Sequence, residues 1–236
     1  MSLPVALLAG GLATRLRPVT EEIPKSLVKV AGDFFINHQL RYLRKQGIRE
    51  VVLCVGHLGE QIEAIVRDGS AYDLQIRYSW DGPHLLGTGG ALRQALALLG
   101  DAFFILYGDS YLPIDFKAVE RSFHESGKLA LMTVFKNENQ GDISNVLFKD
   151  NKIIEYNKQN PSSTMQYIDY GLSILSASLL AHYPKGEPFD LAELFHDLSL
   201  RGELYGYEVF ERFYEIGSPT GLKEAISKLQ GRQSTK

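Results

Sequence analysis

The sequence predicts an α/β fold, with a mostly parallel central sheet, helices on both of its faces and a smaller antiparallel region late in the chain. Three observations predict it. Short apolar runs alternate with stretches of helical periodicity through the first half, the pattern of strands and crossover helices. Past residue 130, runs of strand character crowd together without helices between them, as antiparallel strands do. The 236 residues carry no linker, low-complexity run or internal repeat, so one domain over residues 1–230 is expected to hold both patterns.

Val5–Leu8 is a continuous apolar run ending before Gly10-Gly11, which reads as a buried strand and its loop. Residues 35–46 place Ile36, Leu40 and Leu43 at helical spacing, with Gly47 as the stop. A second strand over Glu50–Val55 leads to a helix over 60–67 with Ile62, Ile65 and Val66 on one face, and then to a strand over 74–79. Residues 91–99 form an apolar helix ending at Gly100, and 103–106 a strand that stops before Gly108-Asp109. Asp115 is placed to cap the helix carrying Phe116, Val119 and Phe123.

Strands are then expected over 130–135, 145–149 and 152–156, the last two joined by a hairpin turn at Asp150-Asn151. A strand over 167–175 and helices over Leu191–Leu200 and 222–229 complete the pattern. The antiparallel part is expected to close over the strand ends, and residues 231–236 to form a disordered polar tail.

Composition narrows the function. A formal net charge of -3 makes a poor match to a polyanion, so neither nucleic acid nor an anionic membrane surface is expected as partner. Cys54 is the only cysteine, which excludes an internal disulfide and a cysteine-based zinc site, and it lies in the apolar run 51–55 as a small core residue. With no stretch approaching the ~18 apolar residues of a membrane span, the cytoplasm is the expected compartment.

In open α/β sheets a ligand binds beyond the carboxyl ends of the strands. After the first strand this chain places Gly10-Gly11, Thr14-Arg15 and, a little later, Pro24-Lys25. Adjacent glycines let backbone N–H groups approach an anion, and Arg15 and Lys25 supply the positive charge that a triphosphate needs. The P-loop pattern is absent, and so is Gly-x-Gly-x-x-Gly after the first strand.

Gly10-Gly11-x-x-Thr14-Arg15-Leu16-x-Pro18 followed by Pro24-Lys25 resembles the signature of the sugar-1-phosphate nucleotidylyltransferases. The resemblance runs from Leu7 to about Pro219 and implies the Rossmann-like nucleotide-diphospho-sugar transferase fold, with no room for the left-handed β-helix that some longer relatives append. It implies that Leu8, Gly10, Gly11 and Thr14 touch the nucleotide, that Arg15 binds the departing phosphates, and that Lys25 binds the α-phosphate under attack. Two positions depart from the family's pattern. Ala13 stands where the family usually has Gly, and Ser26 where it often has Pro.

Leu86-Gly87-Thr88-Gly89-Gly90-Ala91-Leu92 is similar to the family segment that lies against nucleobase and ribose, where glycines make room for a flat ring. Read on its own, the segment has a plainer alternative, a glycine-rich helix start. Asp109, after a buried strand, matches the family's Mg²⁺ ligand, and Glu215 stands where the family's second ligand is normally an Asp. On the acceptor side, Glu155 and Lys158 resemble a family pair that contacts sugar hydroxyls and sugar phosphate, and Tyr170-Gly171 a site close to the sugar.

The expected reaction joins a nucleoside triphosphate to a sugar 1-phosphate, with Mg²⁺ as cofactor and Arg15, Lys25 and Asp109 as the catalytic residues. The glycine segment is closest to the heptose and mannose 1-phosphate guanylyltransferases, which points to GTP. Two rivals stand beside this reading: a glycosyltransferase of related fold, although Asp-x-Asp is missing at Asp109, and a non-catalytic nucleotide-binding homologue.

Overall fold

The computed structural model of the chain describes residues 2–137 and 142–233. β1 (Val5–Leu8) is followed by a long loop with three short 3₁₀ turns, then by the small hairpin of β2 (Lys29–Val30) and β3 (Asp33–Phe34). α1 (Phe35–Lys45), β4 (Glu50–Val55), α2 (Gly59–Val66) and β5 (Gln75–Trp80) come next, close to the expected bounds. α3 (Gly87–Ala95) begins four residues before the expected 91, because the glycines at 87, 89 and 90 lie inside its first turn rather than ahead of it. β6 (Ala102–Tyr107), β7 (Ser110–Tyr111) and α4 (Phe116–Ser126) follow. Asp115 caps α4 as expected, its Oδ1 accepting from the N–H groups of Lys117 and Ala118 at 2.9 and 3.2 Å.

β8 (Ala130–Lys136), β9 (Val146–Lys149), β10 (Lys152–Tyr156) and β11 (Tyr167–Ser176) form the crowded strand region. Asp150 and Asn151 both take positive φ, 50° and 58°, as a tight hairpin turn requires. α5 (Ser178–Ala181), α6 (Leu191–Leu200), β12 (Leu204–Val209), β13 (Tyr214–Glu215) and α7 (Pro219–Gln233) complete the chain. Helix α7 continues through Gly231 to Gln233, where the sequence leads one to expect a tail, and residues 234–236 lie outside the described residues.

One nine-stranded sheet runs β5-β4-β1-β6-β11-β8-β12-β10-β9. Its first four strands are parallel, with Leu8 opposite Cys54 on one side and Tyr107 on the other. Helices cover both faces, as predicted. Val5, Leu7, Val51, Leu53 and Val55 pack in the core beneath α1, α2 and α4, while Ala6, Val52 and Cys54 face the core beneath α3 and α6. That period-two split is why these strands read as continuous apolar runs.

The antiparallel strands do not close over the strand ends. They extend the same sheet, with β11 lying antiparallel against β6 and Leu172 opposite Leu106. β12 is an additional strand, parallel to β8, with no clear sequence signal. Its Gly206 packs where a Cβ would lie 2.5 Å from Phe148 Cε2, so close packing thinned the apolar pattern that marks a strand. β1 and β6 flank the point where strand order reverses. Their carboxyl ends, at Leu8 and Tyr107, open the crevice in which such sheets bind ligands.

Candidate active site

A cleft of about 250 Å³ lies at that crevice. Leu8, Gly10, Gly11, Lys25, Gly87, Thr88 and Asp109 line it, together with residues not singled out in the sequence, among them Asp81, Leu85 and Tyr107. The loop after β1 forms its near wall. Ala13 takes φ 50° and ψ 41°, the left-handed conformation that the family's glycine adopts freely, and its carbonyl accepts from the buried Thr20 hydroxyl at 2.8 Å. Thr14 and Arg15 then occupy an exposed 3₁₀ turn beside the cleft.

Lys25 opens the third of the loop's 3₁₀ turns, after Pro24, and reaches across the crevice. Its Nζ lies 2.7 Å from Asp109 Oδ2. The other Asp109 oxygen accepts from Ser110 Oγ at 3.1 Å. Ser26 is buried beside Lys25, and its hydroxyl has no hydrogen-bond partner among the described residues.

Glu215 comes to the same place through β13, which pairs with β7 so that Glu215 stands opposite Ser110 and the Ile216 N–H donates to the Asp109 carbonyl at 2.9 Å. The Glu215 carboxylate accepts from Ser218 Oγ at 2.5 Å and from the Gly217 N–H. Gly217 is the hub of this corner. A Cβ there would lie 3.0 Å from Lys25 Nζ, 3.2 Å from Arg15 Nη2 and 2.5 Å from Glu215 Oε2. Both cations and the second carboxylate therefore converge on one bare backbone position.

The segment 87–90 divides. Gly87 and Thr88 line the cleft, but Gly89 and Gly90 are buried and face the other way. A Cβ on Gly89 would collide with the Phe189 ring, and one on Gly90 would lie 2.7 Å from the Glu187 carbonyl. The Phe189 carbonyl accepts from the Gly89 N–H at 3.0 Å and so caps the start of α3. Gly89 thus makes room for a phenyl ring of the protein itself, stacked on Tyr183 at 4.2 Å, and Gly90 for the backbone at Glu187 and Pro188.

Thr88 connects this wall to the acceptor side. Its hydroxyl donates to Asp190 Oδ1 at 2.8 Å and accepts from the Leu191 N–H, and Asp190 pairs with Lys158 at 3.7 Å. Glu155 accepts from Asn157 Nδ2 at 3.1 Å. Tyr170 is a correction: it is 1% exposed and edge-packed on Phe213 with ring centroids 5.7 Å apart, so its side chain cannot meet a sugar. The register of β11 turns Tyr170 into the core. Gly171, at φ 100°, sits in the irregularity where β11 slips against β8. Its N–H donates to Asp169 Oδ1 at 2.9 Å. Burial pushes the Asp169 carboxyl up to about 6, against the opposing pull of that N–H and of Lys158. No sequence motif marked Asp169; the only available signal was an acid inside an apolar strand.

The sequence profile of the nucleotidyl transferase family matches residues 5–229. The chain belongs to that family. Relatives of this chain include a D-glycero-α-D-manno-heptose 1-phosphate guanylyltransferase from Aneurinibacillus thermoaerophilus, 30% identical, with 95% of this chain and 97% of the relative covered. A mannose-1-phosphate guanylyltransferase catalytic subunit β from Drosophila melanogaster is 30% identical over 98% of this chain and 64% of its own length. A UTP–glucose-1-phosphate uridylyltransferase from Synechocystis is 27% identical over 96% and 63%. The chain thus spans just under two thirds of the last two. HddC from Yersinia pseudotuberculosis, in a structure complexed with GMP-PN, superposes with a TM-score of 0.81 at 24% identity, covering 96% of this chain and 99% of that one. That likeness, at this identity, speaks for the fold.

Nucleotidyltransferases generally use a divalent metal, and the donor set here fits one. Asp109 stands in the turn before β7 with its carboxylate on the Lys25 ammonium, and Glu215 stands on β13, paired with β7, with its carboxylate and that ammonium both against Gly217. Among the described residues no cluster of three or more metal-ligating side chains exists. A hard cation that keeps waters and shares substrate phosphate oxygens needs only one or two carboxylates from the protein. No helix among the described residues is long and apolar enough to cross a membrane.

Proposed function

We propose that the protein transfers a nucleoside monophosphate from a nucleoside triphosphate to a sugar 1-phosphate, forming a nucleoside diphosphate sugar and pyrophosphate. GTP with a heptose or mannose 1-phosphate is the favoured pair. The observation that carries the reading is the meeting of Lys25 and Asp109, 2.7 Å apart, in a glycine-lined cleft at the switch point of the sheet. A relative matched over nearly its whole length is a heptose 1-phosphate guanylyltransferase, which supports the choice of pair.

An acceptor phosphate oxygen attacks the α-phosphorus, the bond from that phosphorus to the β-bridging oxygen breaks, and pyrophosphate leaves with the electron pair. The acceptor is already ionised near neutral pH, so the site needs charge and alignment rather than a general base. Lys25 stabilises the α-phosphate and Arg15 the departing pyrophosphate. Gly10, Gly11, Thr14, Gly87 and Thr88 hold the nucleotide. Lys158 and Glu155 hold the acceptor, Lys158 being joined to the nucleotide wall through Asp190 and Thr88. Asp109 and Glu215 would hold Mg²⁺, which supplies charge neutralisation between the two phosphates when bound.

The test is pyrophosphate release with Mg²⁺, crossing GTP, UTP, CTP and ATP with a panel of sugar 1-phosphates and using Asp109→Asn as the blank. Release that requires one triphosphate and one sugar 1-phosphate, and is lost in the variant, is expected. Full activity in Asp109→Asn, or silence with no triphosphate bound, would overturn the reading.

A further inference from the structure

Asp81 follows β5, at the sheet edge, and its side chain lines the cleft. The surrounding backbone is cut away to admit it. A Cβ on Gly56 would lie 3.0 Å from Asp81 Oδ2 and 2.8 Å from Leu85 Cδ2, and one on Gly10 would lie 3.4 Å from the same carboxylate oxygen. Glycine at both places lets the carboxylate fold over the ends of β4 and β1. Asp81 is half-buried, yet among the described residues it enters no ion pair. Its one hydrogen bond with the surrounding backbone through the side chain is long, from the Leu86 N–H at 3.3 Å. Burial pushes its carboxyl above the usual range. A charge kept in a cleft without a protein cation is costly unless a ligand completes it.

The position within the cleft says which part of a ligand that is. The cationic corner of Lys25, Arg15 and Gly217 lies by the loops after β1 and β6. β5 is three strands from β6, a span of about 14 Å at the usual strand spacing. A nucleotide with its phosphates at Lys25 extends its base toward β5, where Leu85, Ala91 and Cys54 give the cleft apolar walls.

We propose that Asp81 is the residue that selects guanine, its carboxylate accepting hydrogen bonds from the N1–H and the 2-amino group of the base. This rests on the nucleotide-binding part of the function proposed above. An ionised carboxylate only accepts. Guanine alone among the common bases offers two adjacent donors on its pairing edge. Uracil sets its single N–H between two carbonyls that repel the carboxylate, and cytosine and adenine each pair one amino group with an acceptor nitrogen.

The test compares kcat/KM for GTP, ITP, UTP and CTP with the same sugar 1-phosphate, in the wild type and in Asp81→Asn, and repeats the comparison as triphosphate binding by calorimetry. ITP lacks only the 2-amino group. The wild type is expected to prefer GTP over ITP by ~10-fold or more, and over the pyrimidines by ~100-fold or more. In Asp81→Asn the preference for GTP over ITP collapses, because the new amide donor opposes the 2-amino donor. A wild type that uses UTP or CTP as well as GTP overturns the inference whether or not the variant folds, and so does a variant in which all four triphosphates fall by one factor. Turnover without guanine preference leaves the transferase reading intact and removes the role of Asp81. Binding with an Asp81-dependent preference for GTP, but without turnover, keeps the role and removes the transferase reading.

Discussion

The ammonium of Lys25 lies 2.7 Å from Oδ2 of Asp109, across 84 residues of sequence. The two side chains are 16% and 26% exposed, so each is the other's counter-ion in a partly dried crevice. The β1 loop delivers the cation and the turn after β6 the carboxylate, at the place in the parallel part of the sheet where strand order reverses. On the proposed function, a triphosphate entering there meets a cation already aimed across the cleft.

Replacing Lys25 with Met removes that charge while keeping much of the side-chain volume. Turnover is expected to fall by a factor of ~100 or more, by comparison with loss of one preorganised donor to a reacting oxyanion. Single-turnover pyrophosphate release measures this directly. A variant within a few-fold of wild type would place the chemistry elsewhere.

Gly217→Ala puts a methyl group 3.0 Å from the Lys25 ammonium and 2.5 Å from a Glu215 oxygen. The crowded atoms are ends of side chains, so the fold survives while the corner shifts. Displacement of reacting groups by about 1 Å can cost ~100-fold in rate, and a loss of that order is expected with a far smaller change in melting temperature. Equal loss of stability and activity would make Gly217 a folding residue only.

Asp169 makes stability fall with pH. Its carboxyl is pushed up to about 6 from an ordinary 3.8, so between these values the native state binds more protons than the unfolded state. The contribution is fully present below about pH 3.8 and is lost as pH rises through about 6. Tyr107 on β6 and Tyr156 on β10 stay neutral there, burial pushing both phenols higher still. Asp169→Asn keeps an acceptor for the Gly171 N–H and is expected to be more stable than wild type by about 1–3 kcal/mol at pH 7, with no advantage near pH 4. Denaturant unfolding at both pH values checks it, and an equal difference at the two would remove Asp169 as its cause.

Cys54 is 2% exposed, and burial pushes its thiol up to about 12. The protein is expected to resist a thiol-disulfide reagent at pH 8 while folded and to react at one site when unfolded. Rapid native labelling would mean that the floor of the cleft opens.

Much of the site was legible in the sequence because its parts are local. Adjacent glycines after a buried strand, a lysine after a proline and an acid at a strand end each announce themselves within a few residues, and Gly10, Gly11, Lys25 and Asp109 all line the cleft. The burial of Tyr170 is not legible in this way, since nothing local says which face of β11 meets the core. The packing of Gly89 and Gly90 is not legible for a related reason: the Phe189 ring and the Glu187 backbone that need their space lie far along the chain.

The sequence by itself determined the strands and helices of the parallel half, their two-sided burial and the charged loops, because apolar periodicity and turn chemistry are properties of short windows. Only the tertiary structure decided that β12 enters beside β8, that β13 brings Glu215 next to Asp109, that Asp81 faces the cleft and that the Asp169 carboxyl is buried. Those facts depend on register between segments distant in the chain. A paired strand of two residues, such as β7 or β13, carries too little pattern to fix its partner; the packing of the rest of the molecule fixes it.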